Sequence, residues 1–142
     1  MIIVIRISGM VDVPENINYT LNNINLRRKY VAILMNDTVE NIKLLTKVRS
    51  FVAYGTISNE NLVKLISLRG EKIDKNGKID AESIAKNVES KSLRDLGLKP
   101  FFRLHPPRKG IESKKHFGVG KGVLGDNKEH INLLLERMLW VN

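Results

Sequence analysis

The sequence predicts an α/β protein (α+β in its mix of elements): a β-α-β-α-β core over residues 1–57, followed by a helical extension over residues 58–142. Three observations predict this. Short apolar runs near residues 2–8, 31–35 and 51–57 have the length and β-branched or aromatic content of strands. The two stretches between them place apolar residues three and four apart, which makes one helical face. Beyond residue 57, helix-like spacing recurs and ends in a strongly amphipathic stretch.

The first strand is expected over residues 2–8. Ile3, Ile5 and Ile7 share one side, and Arg6 and Ser8 fall on the other. Pro14 suits a first helical turn, and Glu15 beside it favours the positive end of the helix. Ile17, Leu21 and Ile24 form the buried face of that helix, which is expected to close with Arg27, Arg28 and Lys29. The unbroken run at 31–35 reads as a buried central strand. Asp37 with Glu40 makes a capping-box pattern, and Thr38 is a rival cap for a helix carrying Ile42, Leu45 and Val48. The third strand spans 51–57.

Ser58 with Asn61 then starts a helix through Leu62, Leu65, Ile66 and Leu68, with Gly70 as its C-cap. Residues 71–80 are charged and contain the turn signal Asn76-Gly77. Short helices are expected over 80–88 and 92–96. A short strand over 101–104 is stopped by Pro106 and Pro107. Residues 108–125 read as a long loop within a basic segment, 98–125. Asp126 with Glu129 then makes a second capping box before a helix carrying Ile131, Leu134, Leu135 and Met138.

The net charge of +9 exceeds anything folding requires and points to a polyanionic partner. It is concentrated in residues 98–122, where Lys99, Arg103, Arg108, Lys109, Lys114, Lys115 and Lys121 face only Glu112. Glycines in the same stretch let backbone approach phosphate closely, lysines neutralise phosphate, and Arg103 and His105 can stack on unpaired bases. A solvated loop that is merely basic is the plainer alternative. Arg27, Arg28 and Lys29 form a second cluster, which also fits a helix C-terminus answering its dipole. Lys43 and Lys47, on one face of the second helix, extend the basic surface or are simply solvated. Seven phosphate contacts to irregular RNA would give a log–log salt slope near roughly −5.

Several chemistries find no support. There are no cysteines, so disulfides and thiolate metal sites are excluded. No apolar run approaches the ~20 residues of a membrane span, and the N-terminus reads as a strand and not as a signal peptide. A cytoplasmic protein is the default expectation. Gly118-Val119-Gly120-Lys121-Gly122 fails as a phosphate loop: Lys115 stands where the first glycine belongs, and Gly122 where Ser or Thr belongs. His105, His116 and His130 show no metal-ligand spacing. No carboxylate pair or activated nucleophile suggests an enzyme, and no cofactor is expected. A peripheral membrane binder would need a lysine-rich amphipathic helix. The last helix sets Lys128 and Arg137 against Glu129 and Glu136.

Four stretches carry a family resemblance. They are Ile5-Arg6-Ile7-Ser8-Gly9 with Val11-Asp12-Val13-Pro14; Leu26-Arg27-Arg28 with Asn36-Asp37-Thr38; Tyr54-Gly55-Thr56-Ile57; and the twelve residues from Gly97 to Arg108. The chain resembles the long, archaeal and eukaryotic form of large-subunit ribosomal protein family thirty, whose eukaryotic members carry the number seven. The resemblance covers nearly the whole chain. The short bacterial members resemble only the first 57 residues. Val39 departs from the family's usual proline, which weakens only a helix-start signal. The resemblance implies a ferredoxin-like core and a structural role in the large ribosomal subunit. It also implies contact with large-subunit ribosomal RNA and neighbouring ribosomal proteins, a position near the five-S RNA, and no catalysis. A non-ribosomal RNA-binding or RNA-processing protein is the alternative.

Overall fold

The computed structural model describes residues 1–7, 13–70, 81–87, 98–104, 113–116 and 122–139, with backbone alone at 81–83, 113–116 and 122–123. Six strands form one sheet: β1 (Ile2–Arg6), β2 (Val31–Met35), β3 (Val52–Thr56), β4 (Phe102–Arg103), β5 (Ser113–His116) and β6 (Gly122–Asp126). The helices are α1 (Glu15–Asn23), α2 (Val39–Val48), α3 (Asn59–Arg69), α4 (Ala81–Asn87) and α5 (Ile131–Met138), the last preceded by a 3-10 turn at Lys128–His130. The strand order is β4-β2-β1-β3-β6-β5.

β1 is central and antiparallel to both neighbours, pairing Ile5 with Ala32 of β2 and with Ala53 of β3. This is the ferredoxin-like β-α-β-α-β core. Later strands extend it on both sides. β4 adds antiparallel to β2, with Val31 opposite Arg103, and β6 adds parallel to β3, with Tyr54 opposite Asp126.

Helices cover both faces of the sheet. Ile2 and Val4 of β1 join Ile17 and Leu21 of α1, Leu26, and Leu45 and Val48 of α2. Ile3, Ile5 and Ile7 face the opposite way, against Leu62, Leu65 and Ile66 of α3 and Ile131, Leu134 and Leu135 of α5. The alternation expected in β1 is present, but its second side is as buried as the first. Arg6, on the side of Ile2 and Val4, is fully buried.

The helix starts follow local chemistry. The Thr38 hydroxyl accepts from the Asn41 N–H at 3.2 Å and caps α2, so the rival cap displaces the Asp37–Glu40 box. Ser58 caps α3 in the same way, accepting from the Asn61 N–H at 3.3 Å. Gly70 closes α3 by donating its N–H to the Ile66 carbonyl, with φ of −66° and so without a left-handed turn. Asp126 does not form the second capping box. It ends β6, and its carboxylate accepts from the Lys128 N–H at 2.9 Å, one residue short of the box partner.

Asn132 ties α5 to the rest of the fold. Its amide oxygen accepts from the Ser58 N–H and the Asn61 side chain, while its nitrogen donates to the Thr56 and Glu129 carbonyls.

The stretch expected as a loop over 108–125 contains β5 and most of β6. They pair in parallel with an irregular register between Ser113 and His116. Glycine and lysine are poor strand formers, and β6 is fixed by pairing with the distant β3, so residue composition points the wrong way. The helix expected over 92–96 lies outside the described residues. Among those described, no helix is long and apolar enough to cross a membrane.

Candidate nucleic-acid interface

The site begins with the turn between α1 and β2. The expectation was that α1 would close on the basic triplet. Instead α1 ends at Asn23, and Arg27, Arg28 and Lys29 stand beyond it. Two residues in left-handed backbone bracket the triplet, Asn25 with φ 69° and Tyr30 with φ 66°. That conformation is uncommon for residues other than glycine, so the surroundings must hold it.

Arg6 supplies much of that hold. Its guanidinium donates to the Leu26 carbonyl at 2.7 Å and reaches the Asn18 amide oxygen at 3.4 Å. Its backbone carbonyl accepts from the Tyr30 N–H at 2.7 Å. One residue of the central strand thus grips both ends of the basic turn. Burial lowers the Arg6 pKa from its ordinary value, yet a guanidinium remains protonated at any physiological pH. Arg27, Arg28 and Lys29 project into solvent from this fixed base. The Lys29 ammonium lies 5.0 Å from the Tyr30 ring centroid, within cation–π range.

β4 brings the second basic group to the same place. Because β4 pairs with β2 at Val31, Arg103 arrives beside the turn, and the Leu104 N–H bonds the Tyr30 carbonyl at 3.1 Å. Alternation along the strand sends Phe102 into the core, where it is fully buried. Phe101 is half-buried against the α1–α2 side of the sheet. The Arg103 guanidinium lies 5.7 Å from the Phe101 ring centroid. Asn25, Arg27, Arg28, Val31, Pro100, Phe101 and Arg103 together line an open groove of about 360 Å³. None of these lining residues is acidic.

The remaining expected residues divide clearly. Lys99 is half-buried and adjoins this groove in sequence. Lys43 and Lys47 are exposed on α2 and do not line the groove. Lys47 instead borders a shallow depression of about 470 Å³ with Glu15, Asn16, Tyr19 and Thr20. Lys114 and Lys115 are consecutive positions of β5 and not of a loop. His105, Arg108, Lys109 and Lys121 lie outside the described residues.

Sequence reasoning missed Asn25, Val31, Pro100 and Phe101, which line the groove, and Arg6, which holds the turn. Arg6 carried a usable signal, because Ile2 and Val4 share its side of β1 and mark that side as buried. Among the described residues no group of His, Asp or Glu is placed to hold a metal ion.

Comparison with known proteins identifies the family. No family model matches the chain. The large ribosomal subunit protein uL30 of Archaeoglobus fulgidus is 41% identical over 152 residues, covering 97% of this chain and 99% of that one. The uL30 protein of Methanosphaera stadtmanae is 35% identical, covering 98% of this chain and 100% of its own. That of Nanoarchaeum equitans is 35% identical over 96% of this chain and 97% of its own. Similarity at this level along the full length of each relative means that the chain belongs to the large ribosomal subunit protein uL30 family.

Proposed function

We propose that this protein is a structural constituent of the large ribosomal subunit in the cytoplasm, where it binds and stabilises large-subunit ribosomal RNA and catalyses no reaction. The single observation that carries the reading is the meeting of Arg27 and Arg28 with Arg103 in one groove whose described lining has no acid. Phosphate contacts of this kind position a protein on RNA, and planar guanidinium groups suit them better than ammonium groups do. The uL30 relatives, matched nearly end to end, support the ribosomal setting.

Within this reading, residues 1–57 act as the structural core and residues 58–142 as the extension that enlarges the basic surface. Arg27, Arg28, Lys29, Lys99 and Arg103 form its described centre. His105, Arg108, Lys109, Lys114, Lys115 and Lys121 are further RNA contacts in this reading, with Lys43 and Lys47 as outlying ones. Neighbouring ribosomal proteins are partners, and a position near the five-S RNA is the finest part of the proposal.

The test is sucrose-gradient fractionation of a native extract in low and high salt, probed for this chain. Migration with the large subunit is expected. Migration as a free small protein at low salt would overturn the reading in favour of a non-ribosomal RNA-binding or RNA-processing role.

A further inference from the structure

The arginine groove has features that phosphate neutralisation alone does not require. Phe101, immediately before β4, and Arg103, its last residue, are two apart, and both line the groove. The ring is half-buried and the guanidinium exposed, 5.7 Å from the ring centroid. The half-buried phenyl group thus lies beneath an exposed guanidinium. A guanidinium held in this way is a flat, cationic surface, which is the kind on which unpaired bases stack. Arg27 and Arg28 stand on the adjoining wall, and Asn25 offers amide hydrogen-bonding groups beside them. The groove, about 360 Å³, lies at the small end of the range of ligand sites, about 300–1,000 Å³. A paired helix is too broad to enter a space of this size, whereas one extruded nucleotide matches it.

We propose that this groove seats a single unpaired RNA nucleotide, its base stacked on the Arg103 guanidinium and its phosphate held by Arg27 and Arg28. The proposal rests on the RNA-binding reading above and deepens it, from general phosphate contact to recognition of a bulged or extruded residue. The Arg103 plane supplies the preference for an unpaired base, and Arg27 and Arg28 supply charge that paired RNA also feels. The seat reads shape and a π-face, so it accepts any base with modest discrimination.

The test uses the full chain and two RNA probes: a short duplex carrying one bulged 2-aminopurine nucleotide, and the same duplex fully paired. The bulged probe is expected to bind roughly tenfold more tightly, the contribution of one stacked base. Its fluorescence should rise as the base leaves its neighbours in the helix. Arg103→Lys keeps the charge but removes the plane, and is expected to abolish most of the preference and the fluorescence change. Phe101→Leu keeps an apolar side chain against the core and removes the ring, and should reduce the same ratio.

Circular dichroism checks that each variant is folded. Equal affinity for the two probes, or an Arg103→Lys variant that keeps the preference, overturns the seat. A chain that sediments with the large subunit yet binds neither probe overturns the seat and spares the ribosomal reading. A chain that prefers the bulged probe but sediments free supports the seat and overturns the ribosomal reading.

Discussion

The Arg6 guanidinium directs its charge inward, onto the Leu26 carbonyl and the Asn18 amide oxygen, in a strand otherwise made of isoleucine and valine. Replacing it with a similar-sized apolar side chain would leave the Leu26 carbonyl without that donor. An unsatisfied buried acceptor costs about 1–3 kcal/mol. Arg6→Met should therefore destabilise the protein by about that amount in urea unfolding, and should also weaken RNA binding, because the basic turn loses its anchor. Unchanged stability would mean that the grip is not a strong one.

Tyr54 makes a second case. Burial raises its pKa above 10.0, the Asp126 carboxylate opposite it in β6 raises it further, and Arg49 partly opposes the shift. The folded state therefore holds its phenol proton to higher pH than the unfolded chain does. The stabilisation is complete below pH about 10 and is lost as pH rises through the folded value. Thermal melts at rising alkaline pH should show wild type losing stability more steeply than Tyr54→Phe. Parallel curves would contradict the assignment.

At the scale of elements, Gly55 decides how closely the end of the chain approaches the sheet. A Cβ there would collide with the Lys128 carbonyl and stand 2.9 Å from the Ile131 side chain. Gly55→Ala must push the 3-10 turn and α5 away from β3, and overpacking of this kind costs about 1–3 kcal/mol. Differential scanning calorimetry should record a lower melting temperature; a neutral substitution would show that the contact yields easily.

The same scale shows what was legible in the residues. β2 and β3 were readable because apolar runs of strand length are hard to accommodate otherwise, and β2 spans the residues expected. α2 and α3 were readable from spacing and caps, although the capping residue of α2 is Thr38 and not Asp37. β5 and β6 were not readable, because β6 is set by its distant partner β3, β5 only follows β6, and their glycines and lysines favour other states locally. The groove was half legible. Arg27, Arg28 and Arg103 could each be named from charge, but nothing local says that β4 adds to β2 and brings them together.

For the molecule as a whole, the sheet is covered on both faces by helices, which leaves its edges and connections for the proposed RNA contact. The β2–β4 edge joins the α1–β2 turn to the start of the basic segment. That is where exposed arginines, a half-buried phenylalanine and a fixed backbone coincide. The net charge of +9 favours a polyanionic partner, and the groove is the point of contact proposed for it.

The most direct measurement of this central claim is ultraviolet crosslinking of purified, intact large subunits, with RNA-linked peptides of this chain identified by mass spectrometry. The account predicts RNA adducts in the peptides containing residues 27–30 and 99–103. A chain that is present in the subunit but carries no RNA adduct in either peptide would contradict it.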